Sequence, residues 1–184
     1  MRRQGADLVN VAQLLQRPGT MLVCSATSGV SQAADLEGKR VGTWLIGDEF
    51  DVGHWLQRYG LGLDAVRLIK QQPAARDLLA GKVDCATAMS YNEFQTIRQA
   101  GALQSDLFTV RFDEENSGFL EDGLYVRASD LSDPFKRDRL ARLLRSLAAG
   151  WRYAARHPEE AVAITERFMD SSNTVHQRAM LREI

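Results

Sequence analysis

The stretch that decides the fold is LEGKRVGTWLIGDEF, residues 36–50. β-forming residues alternate along its middle, Gly47 ends the run, and an amphipathic segment follows at 51–59. This order predicts a strand, a turn and a helix, the repeating unit of an open α/β sheet. In such sheets small molecules bind beyond the carboxyl ends of the strands, where amides at the start of the next helix are unpaired. We therefore expect a ligand site at this turn.

The turn carries two acidic residues and an aromatic ring, Asp48, Glu49 and Phe50. Asp48 or Glu49 could cap the N-terminus of the helix, a role for which carboxylates are well suited. The alternative is that Glu49 accepts hydrogen bonds from ring nitrogens or an amino group of a ligand while Phe50 stacks on the ligand. The residues alone leave both roles open.

The apolar pattern predicts alternating strands and helices up to about residue 112 and mainly helices after Pro134. The predicted strands are 20–24, 39–45, 65–70, 83–89, 107–112 and 121–127. The predicted helices are 8–17, 51–59, 74–80, 91–100 and 136–156, with a break and restart at His157 and Pro158.

A second strand-turn-helix motif, AMSYNEF at 88–94, repeats the first. Two parallel strands that end on one side of a sheet would bring Tyr91, Asn92 and Glu93 to the same crevice as the first turn. Alternatively, Ser90 or Asn92 caps the helix and Tyr91 packs locally. Glu121, just before a later strand, either lines the crevice or is simply solvated.

Three motifs in this order, the first turn, VDCATAMSYNEF (83–94) and LEDGLYVR (120–127), resemble the NMT1/THI5-like family of periplasmic binding proteins. That family includes receptors for pyrimidine precursors of thiamine, and its usual motif is a strand ending in Trp followed by Gly-Asn-Glu-Tyr. Those places are taken here by Trp44, Gly47, Asp48, Glu49 and Phe50. A carboxylate replaces the amide and the phenol hydroxyl is missing, so the resemblance implies a ligand with different polar groups.

The resemblance implies an α/β fold of the type II periplasmic-binding-protein class, in which the chain crosses twice between two lobes around a ligand cleft. Residues 1–38 would be the remnant of a first lobe, 39–118 one complete α/β lobe, and 119–184 the return to the first lobe, with helix-rich C-terminal sequence. No apolar secretory signal opens the sequence. Since family members carry a signal and a strand-helix-strand unit before the position of Gly5, we expect an absent N-terminal portion and, by resemblance alone, a periplasmic location.

Composition excludes some functions and leaves others open. The 184 residues carry 23 basic and 24 acidic side chains, a net charge of −1, which gives no broad reason to bind nucleic acid or an anionic membrane. Cys24 and Cys85 lie in apolar runs without CxxC or Cys/His spacing, so two buried free thiols are the default expectation, and the alternative, a disulfide, has no support from the spacing. Asp51 and His54 stand three apart on a predicted helix, but without a third ligand they predict no metal site.

No catalytic or cofactor motif stands out: the sequence has no GxSxG, Walker-type GxxxxGK or HExxH pattern. The resemblance implies a solute-binding component of an ABC importer, with the permease as partner and a small heteroaromatic ligand such as a thiamine pyrimidine precursor. The alternatives are a pyrimidine-biosynthesis enzyme and a truncated relict that only oligomerises. An incomplete lobe would expose a sheet edge and an apolar helix face, which predicts a homodimer.

Overall fold

The computed structural model describes residues 5–72, 75–169 and 173–184. Its strands are β1 (Leu8–Gln13), β2 (Thr20–Ser25), β3 (Arg40–Thr43), β4 (Arg67–Lys70), β5 (Cys85–Met89), β6 (Leu107–Arg111) and β7 (Gly123–Arg127). Its helices are α1 (Glu49–Gln57), α2 (Arg76–Leu79), α3 (Glu93–Gln99), α4 (Ala128–Ser132), α5 (Pro134–Arg156), α6 (Pro158–Glu166) and α7 (Thr174–Glu183). The α/β class expected from the sequence is confirmed.

The main sheet has five strands in the order β4-β3-β5-β2-β6. β3 runs parallel to β4 and β5, as βαβ crossovers require. β2 is antiparallel to both of its neighbours, β5 and β6, and is buried along almost its whole length. This position explains its composition, because a strand covered on both faces is a continuous apolar run.

The sheet has a core on each face, because successive side chains of a strand point to opposite sides. Leu22 and Cys24 of β2 pack into one core together with Trp55 of α1. Met21 and Val23 pack into the other core, which α3 covers with Ile97. The main sheet is therefore a two-sided layer with helices against both faces.

The chain divides into two compact units. The smaller consists of Met1–Arg17 and Leu120–Thr174, and the larger of Pro18–Phe119 and Val175–Ile184. These bounds differ from the expected lobes at residues 18–38, at Phe119 and at residues 175–184. Residues 18–38 belong to the larger unit because β2 pairs with β5 and β6, and 175–184 belong there because α7 bonds to that unit.

The helix predicted at 8–17 is wrong. Residues 8–13 form β1, which pairs antiparallel with β7, Leu8 opposite Arg127 and Gln13 opposite Gly123, with an irregularity between Asn10 and Ala12. A partner strand more than a hundred residues away outweighs the helical spacing of the local sequence.

The expectation of two free thiols is also wrong, since Cys24 and Cys85 form a disulfide. The register of β2 against β5 places the two residues directly opposite each other, with their Cα atoms 3.9 Å apart. Both are fully buried. The bond therefore joins two central strands inside the larger unit.

The helices of the smaller unit begin and end as the sequence predicts around Pro158. The Asp133 carboxylate accepts from the amides of Phe135 and Lys136 and so caps α5, while His157 ends α5 and Pro158 opens α6. No residue of α5 is buried within that unit's described structure. None of the helices in the described residues combines the length and the apolar character needed to cross a membrane.

Candidate functional site

The first turn, between β3 and α1, is held by the Asp48 carboxylate, which is only 8% exposed. Oδ2 accepts from the Trp44 amide at 2.9 Å and from the Thr87 hydroxyl at 2.6 Å, and Oδ1 accepts from the Ile46 amide at 3.4 Å. Asp48 stands at the N-cap position of α1 but makes no capping bond. Its carboxylate therefore folds back to the end of the strand and does not serve the helix.

The same turn is strained and presents apolar side chains to solvent. Glu49 Oε2 accepts from the Gly47 amide at 2.9 Å. Leu45 has φ 58° and Gly47 has φ 133°, and a left-handed conformation is uncommon for a residue with a side chain. Ile46 and Phe50 are 86% and 61% exposed. Strain of this kind concentrates at functional sites, so the turn is a candidate ligand contact.

The second turn, between β5 and α3, repeats the first in its use of a carboxylate. Glu93, 9% exposed, accepts from the Met89 amide at 3.1 Å and from Asn92 Nδ2 at 2.9 Å. Asn92 Oδ1 lies 2.9 Å from His176 Nε2 of α7, and since an amide oxygen only accepts, the imidazole donates. Asn92 is at the N-cap position of α3 without a side-chain capping bond. Tyr91 is half-buried beside it.

The two turns are neighbours because β3 and β5 are adjacent parallel strands, with Val41 opposite Cys85. The bond from Thr87 to Asp48 joins them directly, and Gln71 at the end of β4 donates to the Thr87 carbonyl at 2.9 Å. The sequence reasoning missed Thr87 and Gln71. The sequence could have indicated both, because each is a polar residue within or beside an apolar strand. Polar residues in such places are usually buried and hydrogen-bonded to a partner.

This arrangement decides which ligand charge the turns favour. Free amides at strand ends and helix starts usually hold anions. Here three carboxylates, those of Asp48, Glu49 and Glu93, already accept hydrogen bonds from backbone amides at the ends of β3 and β5. Added negative charge would be repelled, so the turns favour a neutral or cationic molecule.

The remaining predicted site residue, Glu121, lies in the smaller unit, where its carbonyl accepts from the Gln13 side chain. The structure thus brings together the predicted residues of the two turns, all of which belong to the larger unit. Their roles toward a ligand stay predictions.

Asp51 and His54 have structural partners. Asp51 Oδ1 accepts from the Phe119 amide at 2.8 Å, and His54 Nδ1 donates to the Ser117 carbonyl at 2.7 Å. Both side chains therefore fasten α1 to the segment at 117–119, just before the chain enters the smaller unit.

Comparison with solved structures shows the fold. The alkanesulfonate-binding protein SsuA from Xanthomonas axonopodis pv. citri, bound to MOPS, is 16% identical with a TM-score of 0.73 over 97% of this chain and 60% of its own. The periplasmic aliphatic sulphonate binding protein SsuA from Escherichia coli is 16% identical with a TM-score of 0.71 over 98% and 60%. This chain thus spans about 60% of the length of either structure.

No protein of curated function matches the sequence. The profile of the family described as NMT1/THI5 like matches residues 1–161, most of the chain. Together with the periplasmic-binding-protein architecture, this match confirms the resemblance seen in the three motifs. The chain belongs to the NMT1/THI5-like family.

Proposed function

We propose that this protein is the solute-binding component of an ABC importer and that it binds a small, neutral or cationic nitrogen heterocycle. The observation that carries the proposal is the pair of strand-end turns whose amides are occupied by carboxylates. An anion would meet negative charge there, whereas an amino group or protonated ring nitrogen would meet acceptors. A thiamine pyrimidine precursor, an aminopyrimidine, has this chemistry.

Aromatic side chains supply the apolar part of the proposed contact. Phe50 is exposed at the first turn, and Trp44 and Tyr91 are half-buried at the ends of the two strands. A flat heterocycle gains from stacking on such rings, and a cationic one gains further from the ring faces. Glu49 and Glu93 keep carboxylate lone pairs beyond those that accept from the protein.

The location proposed for the protein is the periplasm, with the importer's permease as partner. Of the two similar structures named above, one is by name an alkanesulfonate-binding protein and the other a periplasmic aliphatic sulphonate binding protein. The buried disulfide supports the location independently, because disulfides persist mainly in oxidising compartments such as the periplasm.

Calorimetry with an aminopyrimidine and with methanesulfonate tests the proposal. We expect saturable binding of the aminopyrimidine only, and a loss of about 1.5 to 3 kcal/mol in Glu49→Gln, the range for a charge-assisted hydrogen bond. Glu37→Gln, an exposed carboxylate away from the turns, is the matched control. Preference for methanesulfonate would refute the charge argument, and conversion of the heterocycle to product would indicate an enzyme.

The ring contact needs its own variants. Tyr91→Ala and Phe50→Ala should each weaken binding of the aminopyrimidine, while Phe135→Ala, an equally exposed ring in the smaller unit, should not. Equal affinities in all three variants would remove stacking from the proposal.

We also propose that the protein self-associates through its smaller unit. No residue of α5 is buried, and Leu143, Trp151 and Phe168 are exposed in that unit. We propose that these side chains form part of the interface between two copies. Light scattering at micromolar concentration should give a dimer mass, and Leu143→Glu should shift it toward the 20.5 kDa monomer. A monodisperse wild-type monomer would contradict the proposal.

A further inference from the structure

The positive charge of this protein is concentrated in helix α5. Seven of the 23 residues of α5 are basic and one, Asp138, is acidic, so the helix alone carries a charge of +6. The whole chain carries −1, which leaves −7 for everything outside α5. The near balance of the full sequence therefore hides one strongly basic element.

Four arginines form a row on one side of α5. An α-helix turns by about 100° per residue, so positions three, four or seven apart lie on the same side. Arginines occur at these spacings at positions Arg142, Arg145, Arg152 and Arg156. At a rise of about 1.5 Å per residue, the row is about 21 Å long. We call these four residues the arginine stripe.

The arginine stripe is exposed, and most of its charge has no counter-charge. All four residues are exposed. Arg142 Nε lies 3.2 Å from the Asp138 carboxylate, in a pair whose side chains are 60% and 61% exposed. Across the described ranges 5–72, 75–169 and 173–184, the other three arginines have no carboxylate within ion-pair distance. Three positive charges are thus available to an anionic partner.

The opposite side of α5 is apolar and packs on its own unit. Leu140 and Leu143 line a cavity together with Val126 of β7 and Leu131 of α4. Leu147, one turn further along the same side, is half-buried. Because the apolar and the charged sides of an amphipathic helix point in opposite directions, the arginine stripe faces away from β7 and α4.

A flat and extended anionic layer matches this geometry. A small anion would reach one or two of the guanidinium groups, whereas a layer of phospholipid headgroups meets the whole row at once. Attraction to such a surface adds up over the arginines close to it and fades within a Debye length. Trp151 and Tyr153, each 41% exposed, stand beside Arg152, and these two residue types are enriched at membrane–water interfaces. The helix therefore combines two classes of side chain that hold a protein at a lipid surface.

The location proposed above narrows the choice of polyanion, and this step rests on that location. A periplasmic receptor meets the phospholipid surface of the membrane that holds its importer, whereas nucleic acid lies in another compartment. The observation behind the location is the buried disulfide between Cys24 and Cys85, which belongs to an oxidising compartment. An anionic lipid surface is therefore the partner that suits the arginine stripe.

We propose that the arginine stripe docks the protein on an anionic phospholipid surface, with α5 parallel to that surface and its apolar side still packed on β7 and α4. The attachment is electrostatic and reversible, because no apolar face has to enter the lipid. Such docking holds the receptor close to its permease and shortens the search for it. The role is additional to solute binding and involves none of the residues of the strand-end turns.

Co-sedimentation of the full, disulfide-bonded chain with lipid vesicles tests the proposal. One preparation is phosphatidylcholine alone and the other is an equimolar mixture of phosphatidylcholine and phosphatidylglycerol, so the two differ in headgroup charge. We expect saturable binding to the mixed vesicles only, lost at about 1 M salt, where the Debye length is about 3 Å. The assay contains purified lipid and no solute, so its result depends neither on the cellular location nor on what the strand-end turns bind.

Charge variants show whether the arginine stripe is the contact. Arg145→Gln with Arg152→Gln should weaken binding to the mixed vesicles about tenfold to thirtyfold, since each arginine near an anionic surface contributes about fivefold. The matched control, Arg67→Gln with Arg76→Gln, removes the same charge from exposed residues of the larger unit and should change binding less than about twofold. Arg145→Lys with Arg152→Lys keeps the charge and should bind as the wild type does.

Three results would overturn the proposal: absence of binding to the mixed vesicles at low salt, equal binding to both kinds of vesicle, or equal losses in the two glutamine double variants. Stripe-dependent retention on immobilised polyglutamate without vesicle binding would assign the arginine stripe to an acidic protein and would also overturn it. Urea unfolding should be the same for all variants and the wild type, because every substituted residue is exposed. The comparison of the two vesicle types uses the wild type alone and decides the proposal even if a variant fails to fold.

Discussion

The two units of this protein differ sharply in how they bury apolar residues. The larger unit has a five-stranded sheet with a core on each face, and nearly every fully buried hydrophobic residue belongs to it. In the described part of the smaller unit, Val162 of α6 is the one buried hydrophobic residue, and the sheet has two strands.

The difference shows where stability and recognition reside. A two-stranded sheet is at best marginally stable by itself, whereas a five-stranded sheet covered on both faces supplies a full core. The strained first turn is held within the larger unit by the hydrogen bonds of the Asp48 and Glu49 carboxylates. We therefore expect substitutions in the larger unit to dominate the unfolding energetics, while those in the smaller unit affect association.

The largest contrast should come from matched phenylalanines. Phe112 is fully buried in one core of the larger unit, so Phe112→Ala should lower the free energy of unfolding by about 3 to 5 kcal/mol. Phe135 is 61% exposed in α5, and the Arg139 guanidinium lies 4.2 Å from the centre of its ring. Phe135→Ala should therefore lower the free energy of unfolding by less than about 1 kcal/mol. Urea unfolding measures both, and equal losses would abolish the comparison.

Removal of the disulfide should be next in size. Cys24 and Cys85 are 61 positions apart, and closing a loop of that length stabilises the fold by about 3 to 4 kcal/mol. In the double variant Cys24→Ala with Cys85→Ala, hydrogen exchange should accelerate in β2 and β5 but not in α5. Reductant should lower the free energy of unfolding of the wild type by as much as the double substitution does, and it should leave that of the variant unchanged. Faster exchange in α5 would mean that the two units share one cooperative core.

A smaller loss is expected from the bond that joins the two turns. Thr87→Val removes the hydroxyl that donates to Asp48, and leaving a buried carboxylate short of a donor should cost about 1 to 2 kcal/mol. Thr109→Val on the edge strand is the matched control and should change stability by less than about 0.5 kcal/mol. Equal stability of the two variants in urea would show that the turn is held by its backbone bonds alone.

The smallest expected effect on the free energy of unfolding comes from an ion pair, and it depends on pH. The Arg40 guanidinium, bonded to Asp84 at 2.8 Å, lowers the pKa of that carboxyl below its usual value. A lowered folded-state pKa stabilises the protein above the unfolded-state pKa, near about pH 4, and the contribution is lost as the pH falls through the folded-state pKa. Asp84→Asn should therefore cost about 1 kcal/mol at neutral pH, after allowance for partial exposure, and less at about pH 3.

The control for this pair lies in the smaller unit. Lys136 likewise lowers the pKa of Asp130, but both of these side chains are more exposed than those of Arg40 and Asp84. Asp130→Asn should leave the unfolding curve unchanged within error, because solvent screens an exposed pair. Thermal melts of both variants across acid and neutral pH provide the measurement, and a larger pH effect from Asp130 would reverse the expected ranking.

The elements that the sequence predicted well are those decided by local pattern. The alternating β-formers and the glycine of residues 36–50 predict a strand, a turn and a helix. The structure differs from this prediction only in the bounds of the strand and the helix. β1 was missed because its pairing with β7 is not visible in its own residues. The disulfide was missed for a similar reason, since only the register of β2 against β5 places the two cysteines opposite each other.

The sequence predicted that the two turns lie side by side, but not the hydrogen bonds within them. Glu49 was expected either to cap α1 or to face a ligand, and Glu93 was expected to face the crevice; the sequence did not reveal that each accepts from an amide two or four positions earlier. Residue spacing does not reveal how far a flexible carboxylate turns back. Thr87 and Gln71 were overlooked because a buried polar network becomes apparent only when three strands are set side by side.

The central place of β2 has a consequence for synthesis of the protein. Residues 20–25 leave the ribosome well before their partner strands, which begin only at Cys85 and Leu107. At about 5 to 20 residues per second, this apolar segment must wait several seconds before it can pair. The nascent chain therefore leaves this apolar strand unpaired for longer than any other strand of the main sheet, which makes early binding by a chaperone valuable to its yield.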